Sequence, residues 1–437
     1  MKNKRKKYLR IPLFIIIAVA VSAAVGTVLM IAIYFLPLKE IQKHCADSYP
    51  IFQKETNYYY WAPVYENTKL DNSTDAFMMN IAMYDGTSSR INNAMQNYYV
   101  MYSGDIDFFE NVMMYINDDK TYEPALCAYG RYWHGYLLWL KPLLEFMDLQ
   151  EIRMLNMALQ FLLLIFVVIR LYTFCDKKLV LPFLFAILFI NPVSTALCMQ
   201  YSSIYYITLL SVLVITYLDK KQLRKNYYKI FVLNGIAIAF FDFFTYPLVA
   251  FGIPLIMILF LLNEDLWSEL KCVIISFVCW LSSYALMWFS KWVIGGLITG
   301  DDIINNGLQQ IRTRTISDAY GKDVTVFESI GRNFNFISGM PLKIFLILVI
   351  IMTLAFALSK KVKLSFDKNI IAIAIVGILP FIWYGVMRNH SYIHAYMTHR
   401  DLAVTVFAIM SALFLCFSID DWEKGNTSDK RKVESKE

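Results

Sequence analysis

The chain has 437 residues, of which 58% are hydrophobic and 17% are charged, and its mean hydropathy is +0.47. This composition excludes a soluble two-domain protein, because long uncharged runs alternate with short charged segments, as in polytopic membrane proteins. The net charge of +6 is spread over short loops and the termini. It therefore reflects membrane topology and gives no indication of a nucleic-acid partner.

The first elements in chain order are a basic N-terminus at 1–10, expected in the cytoplasm, and a first transmembrane helix at 11–37. The apolar run of this helix is too long for a cleaved signal peptide, and no typical cleavage site ends it. A hydrophilic, Tyr-rich loop at 38–153 follows and is expected outside the cytoplasm. Within it, YGRYWHGYLLWLKPLLEFM is amphipathic and too charged for a span, which predicts an interfacial or re-entrant helix.

Further apolar segments are each close to the roughly 20 residues that a helix needs to cross the hydrocarbon core. They lie at 154–175, 179–198, 203–218, 230–246, 247–263, 271–290, 342–359, 369–387 and 402–419. The predicted fold class is therefore an all-α, polytopic transmembrane helical bundle of about ten spans. Helices 2–7 occupy 154–290, a second long extracytoplasmic loop covers 291–341, helices 8–10 occupy 342–419, and a cytoplasmic polar tail covers 420–437.

The distribution of Lys and Arg predicts the orientation of these spans. With the N-terminus inside, the cytoplasmic connections are Lys-rich at 176–178, 219–229 and 359–368 and mixed at 263–271, and the tail is basic. The first long loop is acidic and carries, among others, Asp47, Glu55, Glu66, Asp71, Asp75, Asp85, Asp105, Asp107 and Glu110. We therefore expect a multi-pass cell-membrane protein with both termini in the cytoplasm and both long loops outside.

The cysteines show no metal-site spacing, since the sequence contains no CxxC motif. Most lie in or beside apolar segments, where small buried side chains are expected. Cys45 and Cys127 share the first long loop and could form a disulfide if that loop is outside the cell. The sequence leaves their pairing open.

The first of four polar clusters expected on the outer face is DNSTDAFMMNIAMYDG. Asp71 and Asp75 are four residues apart and share one face of a helix. A partly desolvated carboxylate near a membrane surface is a candidate general base. The alternative is that Asp71 or Ser73 only caps a helix that begins near Thr74.

The second cluster, AYGRYWHGYLLWLKPL, places Arg131 and His134 among aromatic residues. A guanidinium pairs with phosphate through two hydrogen bonds, and aromatic faces pack on pyranose rings. These residues therefore suit a sugar or a lipid-phosphate headgroup. An aromatic belt at the membrane interface would produce the same composition without a site.

The third cluster is Asp242 in FFDFFTYP. An acid inside a long apolar stretch is costly and is a functional candidate by default. The alternative is that Asp242 lies at the outer end of a helix and is simply solvated.

The fourth cluster, MRNHSYIHAYMTHRD, contains Arg388, His390, His394, His399 and Arg400. Arg and His side chains at an outer membrane edge predict a cationic site for a phosphate or pyrophosphate. His390 and His394 at i and i+4 could bind a divalent metal, yet no HExxH glutamate or third ligand accompanies them. An interfacial loop with no substrate is the remaining alternative.

The chain resembles a known group of proteins in two respects: a first helix is followed by a large extracytoplasmic loop, and several sequence blocks are similar. They are DNSTDAFMMNIA, RYWHGYLLWLKPLL, FFDFFTYPLVAFGIPL, SKWVIGGLITG and NHSYIHAYMTHR, and they extend from about residue 71 to 400. These blocks resemble bacterial membrane proteins with the layout of the GT-C superfamily of membrane glycosyltransferases.

The resemblance implies a polyprenyl-phosphate-linked sugar as donor and a base carboxylate in the first outer loop, a role that falls on Asp75 or, alternatively, Asp71. GT-C enzymes often have an acidic pair or D-x-D close behind the first helix, whereas Asp47 stands alone here and DID lies further on, at 105–107. No cofactor is expected, with a divalent metal left open. The implied substrate-binding residues are Arg131, His134, Asp242, Lys291, Arg388, His390, His394, His399 and Arg400.

The expected function is inverting transfer of a sugar from the lipid-linked donor to a cell-envelope glycan or lipid, in contact with membrane lipid. The alternatives are a non-enzymatic flippase, transporter or export component for lipid-linked saccharides, or an inactive scaffold. Transporters often have repeated halves and polar groups at the midplane, but this sequence shows no repeat and groups its ionisable residues on one face. Since P-loop, GxGxxG, GxSxG and kinase motifs are missing from the sequence, cytosolic nucleotide chemistry is not expected.

Overall fold

A computed structural model of the chain describes residues 2–63, 65–84, 86, 89–102, 106–358, 362–364 and 368–419. Asp85 and Asp105 of the acidic first loop lie outside the described residues, as does the predicted polar tail at 420–437.

The described chain is almost entirely helical. Its helices are α1 (Lys2–Ile33), α2 (Lys39–Asp47), α3 (Tyr49–Glu55), α4 (Asn72–Met83), α5 (Arg90–Gln96), α6 (Phe108–Ile116), α7 (Leu137–Leu144), α8 (Leu149–Phe174), α9 (Val180–Ile190), α10 (Pro192–Leu197), α11 (Met199–Thr216), α12 (Lys220–Phe241), α13 (Pro247–Leu262), α14 (Leu266–Thr299), α15 (Ile303–Thr315), α16 (Val326–Asn335), α17 (Met340–Leu358), α18 (Asn369–Val386), α19 (Arg388–Ile393), α20 (Ala395–Thr398) and α21 (Ala403–Cys416). Short 3-10 turns cover Glu66–Thr68, Lys177–Leu179 and His399–Leu402.

The strands in the described residues form three small antiparallel pairs. They are β1 (Tyr99–Met101) with β2 (Ala125–Cys127), β3 (Asp318–Ala319) with β4 (Lys322–Asp323), and β5 (Val362–Leu364) with β6 (Phe417–Ile419). Each strand has only two or three residues and each sheet has only two strands, so the fold is all-α as predicted.

Six helices in the described part of the chain are long and apolar enough to cross a membrane, and two shorter apolar helices accompany them. The six are Arg10–Ile33, Leu149–Phe174, Met199–Thr216, Leu266–Thr299, Asn369–Val386 and Ala395–Cys416, and the shorter two are Pro247–Leu262 and Leu342–Leu358. They support the predicted class, a multi-pass membrane protein.

The segment predicted as one span at 179–198 is divided into α9 and α10. Asn191 adopts a left-handed conformation with φ +67°, and its side chain accepts the N–H of Ser194 to cap α10. Pro192 follows and has no N–H with which to continue α9. With 11 residues, α9 is too short to cross the hydrocarbon core unaided.

Helix α14 is longer than the span predicted at 271–290. It continues through Lys291, the predicted start of the second long loop, as far as Thr299. The added residues are mostly apolar, and Gly300 ends the helix in a left-handed conformation with φ +80°.

Three connections meet at one end of the bundle, which we call the loop end; they are residues 38–148, 300–341 and 387–402. The backbone N–H of Asn389 donates to the carbonyl of Ile316 at 3.1 Å, which joins the second and third connections. The side chain of Gln96 donates to Asp301, which joins the first and second. Residues that are far apart in sequence therefore share one surface.

Candidate functional site

The carboxylate of Asp71 lies at the loop end and is only 1% exposed. It accepts the N–H of Thr74 at 3.1 Å and the Thr74 hydroxyl at 2.7 Å, so Asp71 caps α4, as the capping alternative predicts. Its Oδ2 atom also accepts hydrogen bonds from Gln200 Nε2 at 2.5 Å and from the Tyr396 hydroxyl at 3.1 Å. These two partners belong to α11 and α20, so Asp71 joins three parts of the fold.

A chain of polar contacts leads from Asp71 to Arg314. The Tyr396 hydroxyl lies 3.3 Å from His394 Nδ1, and His394 Nε2 lies 2.8 Å from Arg314 Nη1. A guanidinium can only donate, so His394 accepts at Nε2 and carries its proton on Nδ1, facing Tyr396. The contacts therefore run in one direction, with Tyr396 donating to Asp71.

Lys69 and Tyr58 form the border of this group. Lys69 Nζ lies 4.1 Å from the centre of the Tyr58 ring and 5.3 Å from that of Tyr396, and the two rings meet edge to face at 5.7 Å. Burial lowers the pKa of Lys69 below its ordinary value, although Asp71 opposes this shift. We define the Asp71 site as Asp71, Tyr396, His394, Arg314, Tyr58 and Lys69.

Asp75 lies one turn further along α4 and is fully buried. Its carboxylate accepts the backbone N–H groups of Met199 at 3.1 Å and Gln200 at 3.3 Å, at the start of α11. Burial raises the pKa of Asp75 to about 7, although Arg153, 4.0 Å away, and the Met199 N–H oppose the shift. Asp75 therefore fixes the N-terminus of α11 behind the Asp71 site.

The surroundings of His134, His390 and His394 favour the uncharged imidazole over the expected cation. His390 and His394 lie with their ring centres 4.8 Å apart. Burial, together with the nearby Arg314, lowers the pKa of His390 and brings that of His394 to about 3. Burial likewise lowers the pKa of His134 to about 3. Burial favours the uncharged form of an imidazole and so argues against these histidines neutralising a phosphate, but their binding role stays a prediction.

A neutral buried histidine predicts sensitivity to acid. A histidine whose pKa is lower in the folded state costs stability as the pH falls below about 6.5, by up to about 1.4 kcal/mol per pH unit. Asp75, whose pKa is raised, contributes in the opposite direction. The effect of one histidine is therefore isolated by comparing wild type with His134→Asn. Asparagine is chosen because it tolerates the φ of +55° at this position. We expect unfolding in detergent to show a weaker loss of stability from pH 7 to pH 5 in the variant; equal slopes would contradict a neutral His134.

Asp242 lies between α12 and α13 and is 5% exposed. Its carboxylate accepts the N–H of Thr245 at 2.8 Å and the Thr245 hydroxyl at 2.5 Å, which fixes the turn before α13. In the same turn, the carbonyl of Phe244 is 2.8 Å from His390 Nε2. The turn of Asp242 is thus connected to the Asp71 site, because His390 lies against His394. The carboxylate of Asp242 itself is occupied by its hydrogen bonds to Thr245.

Arg131 and His134 belong to an aromatic surface at the same end. The Arg131 guanidinium lies 4.0 Å from the centre of the Tyr129 ring and donates to Asn306 at 3.3 Å. His134 Nε2 lies 2.9 Å from the Tyr129 carbonyl, and its ring packs against Phe243 at 5.3 Å. The structure thus places these two residues next to the turn of Asp242.

Four other predicted binding residues hold the backbone in place. The contacts are Arg400 to the carbonyls of Ile190 (3.1 Å) and Tyr396 (2.7 Å), His399 Nδ1 to that of Ala395 (2.9 Å), Lys291 to that of Met95 (2.8 Å) and Arg388 to that of Val324 (3.4 Å). Arg400, His399 and Lys291 are also fully buried. Their placement lends no support to a role in phosphate binding.

Metal and disulfide chemistry were left open by the sequence. No group of three or more potential His, Cys, Asp or Glu ligands occurs among the residues that the structure describes. Cys45 is a buried free thiol, and Cys127 is a half-buried one.

No protein-family model matches the chain, and no curated protein or solved structure is significantly similar to it.

Several members of the site were not identified from sequence. Tyr396 lies inside the histidine-rich turn but is uncharged, and Arg314 is one of three arginines in the second long loop. Lys69 lies two residues before Asp71, and Gln200 opens an apolar helix. The sequence signals were the position of Tyr396 in the histidine-rich turn and the proximity of Lys69 to a candidate acid.

Proposed function

We propose that the protein is a membrane glycosyltransferase that moves a sugar from a polyprenyl-phosphate donor to a cell-envelope glycan or lipid at the outer face of the membrane. The observation that supports this is the Asp71 site. In it a buried carboxylate is linked through Tyr396 and His394 to Arg314, and Tyr396 contacts the exposed ring of Tyr58 beside Lys69. Neither Lys69 nor Arg314 has an acidic ion-pair partner within the described residues. Such cations suit a phosphate, and an aromatic ring suits a sugar face.

In the proposed reaction, Asp71 takes the proton of the acceptor hydroxyl as that oxygen attacks the anomeric carbon from the face opposite the phosphate. The bond between the anomeric carbon and the phosphate oxygen breaks, and polyprenyl phosphate leaves with the electron pair. Arg314 and Lys69 would stabilise its charge. Asp71 is preferred to Asp75 as the base because both oxygens of Asp75 hold the backbone of α11.

The acceptor hydroxyl would replace the Tyr396 hydroxyl at Asp71 Oδ2. Tyr396 is half-buried and contacts Tyr58 at the exposed border of the site, whereas Thr74 and Gln200 bind Asp71 from the protein side. The proposal therefore requires Tyr396 to rotate away from Asp71 when a substrate hydroxyl binds.

The proposal includes about ten spans, with the loop end outside the cell and both termini in the cytoplasm. We expect a reporter fused after Ser103 to report an external location and one fused after Lys432 to report a cytoplasmic location. Both positions lie outside the described residues, so neither fusion interrupts a described helix. An internal location for the reporter after Ser103 would place the Asp71 site on the wrong side for an extracytoplasmic donor. An external location for the reporter after Lys432 would contradict the even number of spans.

The activity itself is tested with purified protein in vesicles and a panel of polyprenyl-phosphate sugars. Mass spectrometry of envelope glycans from cells with and without the gene would identify the acceptor, which is then added to the vesicle assay. Transfer predicts equal amounts of released polyprenyl phosphate and new glycoside. Movement of intact donor across the vesicle without bond cleavage would instead indicate a flippase and overturn the proposal.

A further inference from the structure

Helix α15 connects the end of α14 to the β3–β4 hairpin and has three different faces. At about 100° per residue, positions 303, 307, 310 and 314 fall on one face. Ile303 and Gly307 there are buried, and the ring of Trp292 lies close against Gly307. This face packs on the protein.

The face next to it is apolar and exposed. Ile304, Leu308 and Ile311 are 37%, 52% and 42% exposed, and they occupy positions i, i+4 and i+7 of the helix. The remaining surface is polar and includes Asn305, Asn306, Gln309, Arg312 and Thr313. A buried face, an apolar face and a polar face around one helix are typical of a segment that lies in a membrane interface.

Exposed apolar side chains also occur at the end of α14, the helix that precedes α15 in the chain. Leu297, in the last turn of α14, is 82% exposed, and Ile298 beside it is 38% exposed. Since α14 is one of the helices that could cross a membrane, its exposed apolar side chains are expected to contact lipid. Only three residues, Gly300 to Asp302, separate α14 from α15. α15 therefore follows directly on the end of a candidate span, where the hydrocarbon region is expected to meet the headgroups.

The charges on α15 agree with this position. Arg312 and Arg314 lie in its last turn. Arg312 is exposed on the polar face, whereas Arg314 is half-buried and contacts His394. Long arginine side chains at the edge of an apolar face commonly place their charge at headgroup level.

We propose that α15 is a membrane-surface helix, with Ile304, Leu308 and Ile311 among the lipid acyl chains and Arg312 among the headgroups. Because Arg314 belongs to the same helix, the Asp71 site would then be held at the level of the headgroups. This inference concerns lipid contact alone and stands whether or not the protein transfers sugar.

The test places a bimane fluorophore on Leu308→Cys and, as the matched control, on Gln309→Cys. The half-buried thiols Cys127, Cys175 and Cys416 are first replaced by alanine. The full-length protein is reconstituted in vesicles of phosphatidylethanolamine and phosphatidylglycerol with or without bromine on the acyl chains. We expect brominated lipid to quench the fluorophore at 308 at least about twofold more strongly than at 309.

Equal quenching at the two positions would overturn the proposal. A second result would also overturn the proposal. If the fluorophore at 308 is not quenched and the unlabelled Leu308→Cys protein cross-links to a second copy, the face belongs to a dimer interface. Melting temperatures of both variants near that of the thiol-replaced parent would show that the label has not displaced the helix.

Discussion

Replacing Asp71 with asparagine is expected to lower the rate of sugar transfer by about 10²- to 10⁴-fold, the usual contribution of a general base. The amide cannot take the proton of the acceptor hydroxyl. Its oxygen can still accept the N–H of Thr74, so the cap of α4 and the insertion of the protein should persist. The measurement is the initial rate of polyprenyl phosphate release in vesicles at matched protein levels.

Two variants serve as controls for this result. Asp47→Asn changes an exposed acid of the same loop and should transfer sugar at the wild-type rate. Tyr396→Phe removes the hydroxyl that the acceptor is proposed to replace at Asp71 but leaves the carboxylate, so we expect the rate to change by about tenfold or less. Wild-type activity in Asp71→Asn would exclude Asp71 as the base.

The pH dependence of transfer provides a second test of the same residue. Burial raises the pKa of Asp71 above its ordinary value, although hydrogen bonds from Thr74 and Gln200 oppose this shift. A base acts only when ionised, so the rate should rise with pH through a range above the ordinary carboxyl pKa of about 3.9. That rise should disappear from the residual rate of Asp71→Asn.

The largest effect on stability is expected from Arg153→Met. Arg153, in the first turn of α8, is 5% exposed and donates to Glu55 at 2.9 Å and to the Asn72 side chain at 2.8 Å. Its removal leaves Glu55 and the buried Asp75 without their cation. Breaking a buried pair in this way typically costs about 3–5 kcal/mol. Chemical unfolding in detergent would measure the loss.

Arg224→Met is the matched control for Arg153→Met. Arg224 also pairs with a glutamate, Glu264, but its side chain is 64% exposed. An exposed pair of this kind contributes at most about 1 kcal/mol. Equal losses in the two variants would show that burial does not determine the importance of Arg153.

The sequence predicts the all-α class because length and hydropathy are local properties of each segment. It also predicts that distant clusters share one end, and the contact between Asp71 and Tyr396 of the histidine-rich turn agrees with that expectation. The division at Asn191 had a local signal as well, since Asn-Pro breaks helices. The apolar content of the segment 179–198 alone could not show that it is divided into two helices.

The chemistry of the candidate site was less accessible from sequence. Whether a histidine is charged depends on burial and on neighbours such as Arg314, which lies 80 residues from His394. Arg400 and Lys291 have the residue types that bind phosphate, yet packing directs both to backbone carbonyls. Such assignments require the tertiary contacts, because residue type does not specify a side chain's partner.

The hydrogen bond between Asn389 and Ile316 has a consequence for conditions outside the cell. It joins two connections of the loop end without any charge, and so does the bond from Asn333 to the carbonyl of Ser391 at 2.9 Å. Dissolved ions screen interactions between exposed charges but have little effect on neutral hydrogen bonds. On the proposed outer face, ionic strength can change with the surroundings. These two hydrogen bonds would keep the connections in the same arrangement at low and at high ionic strength.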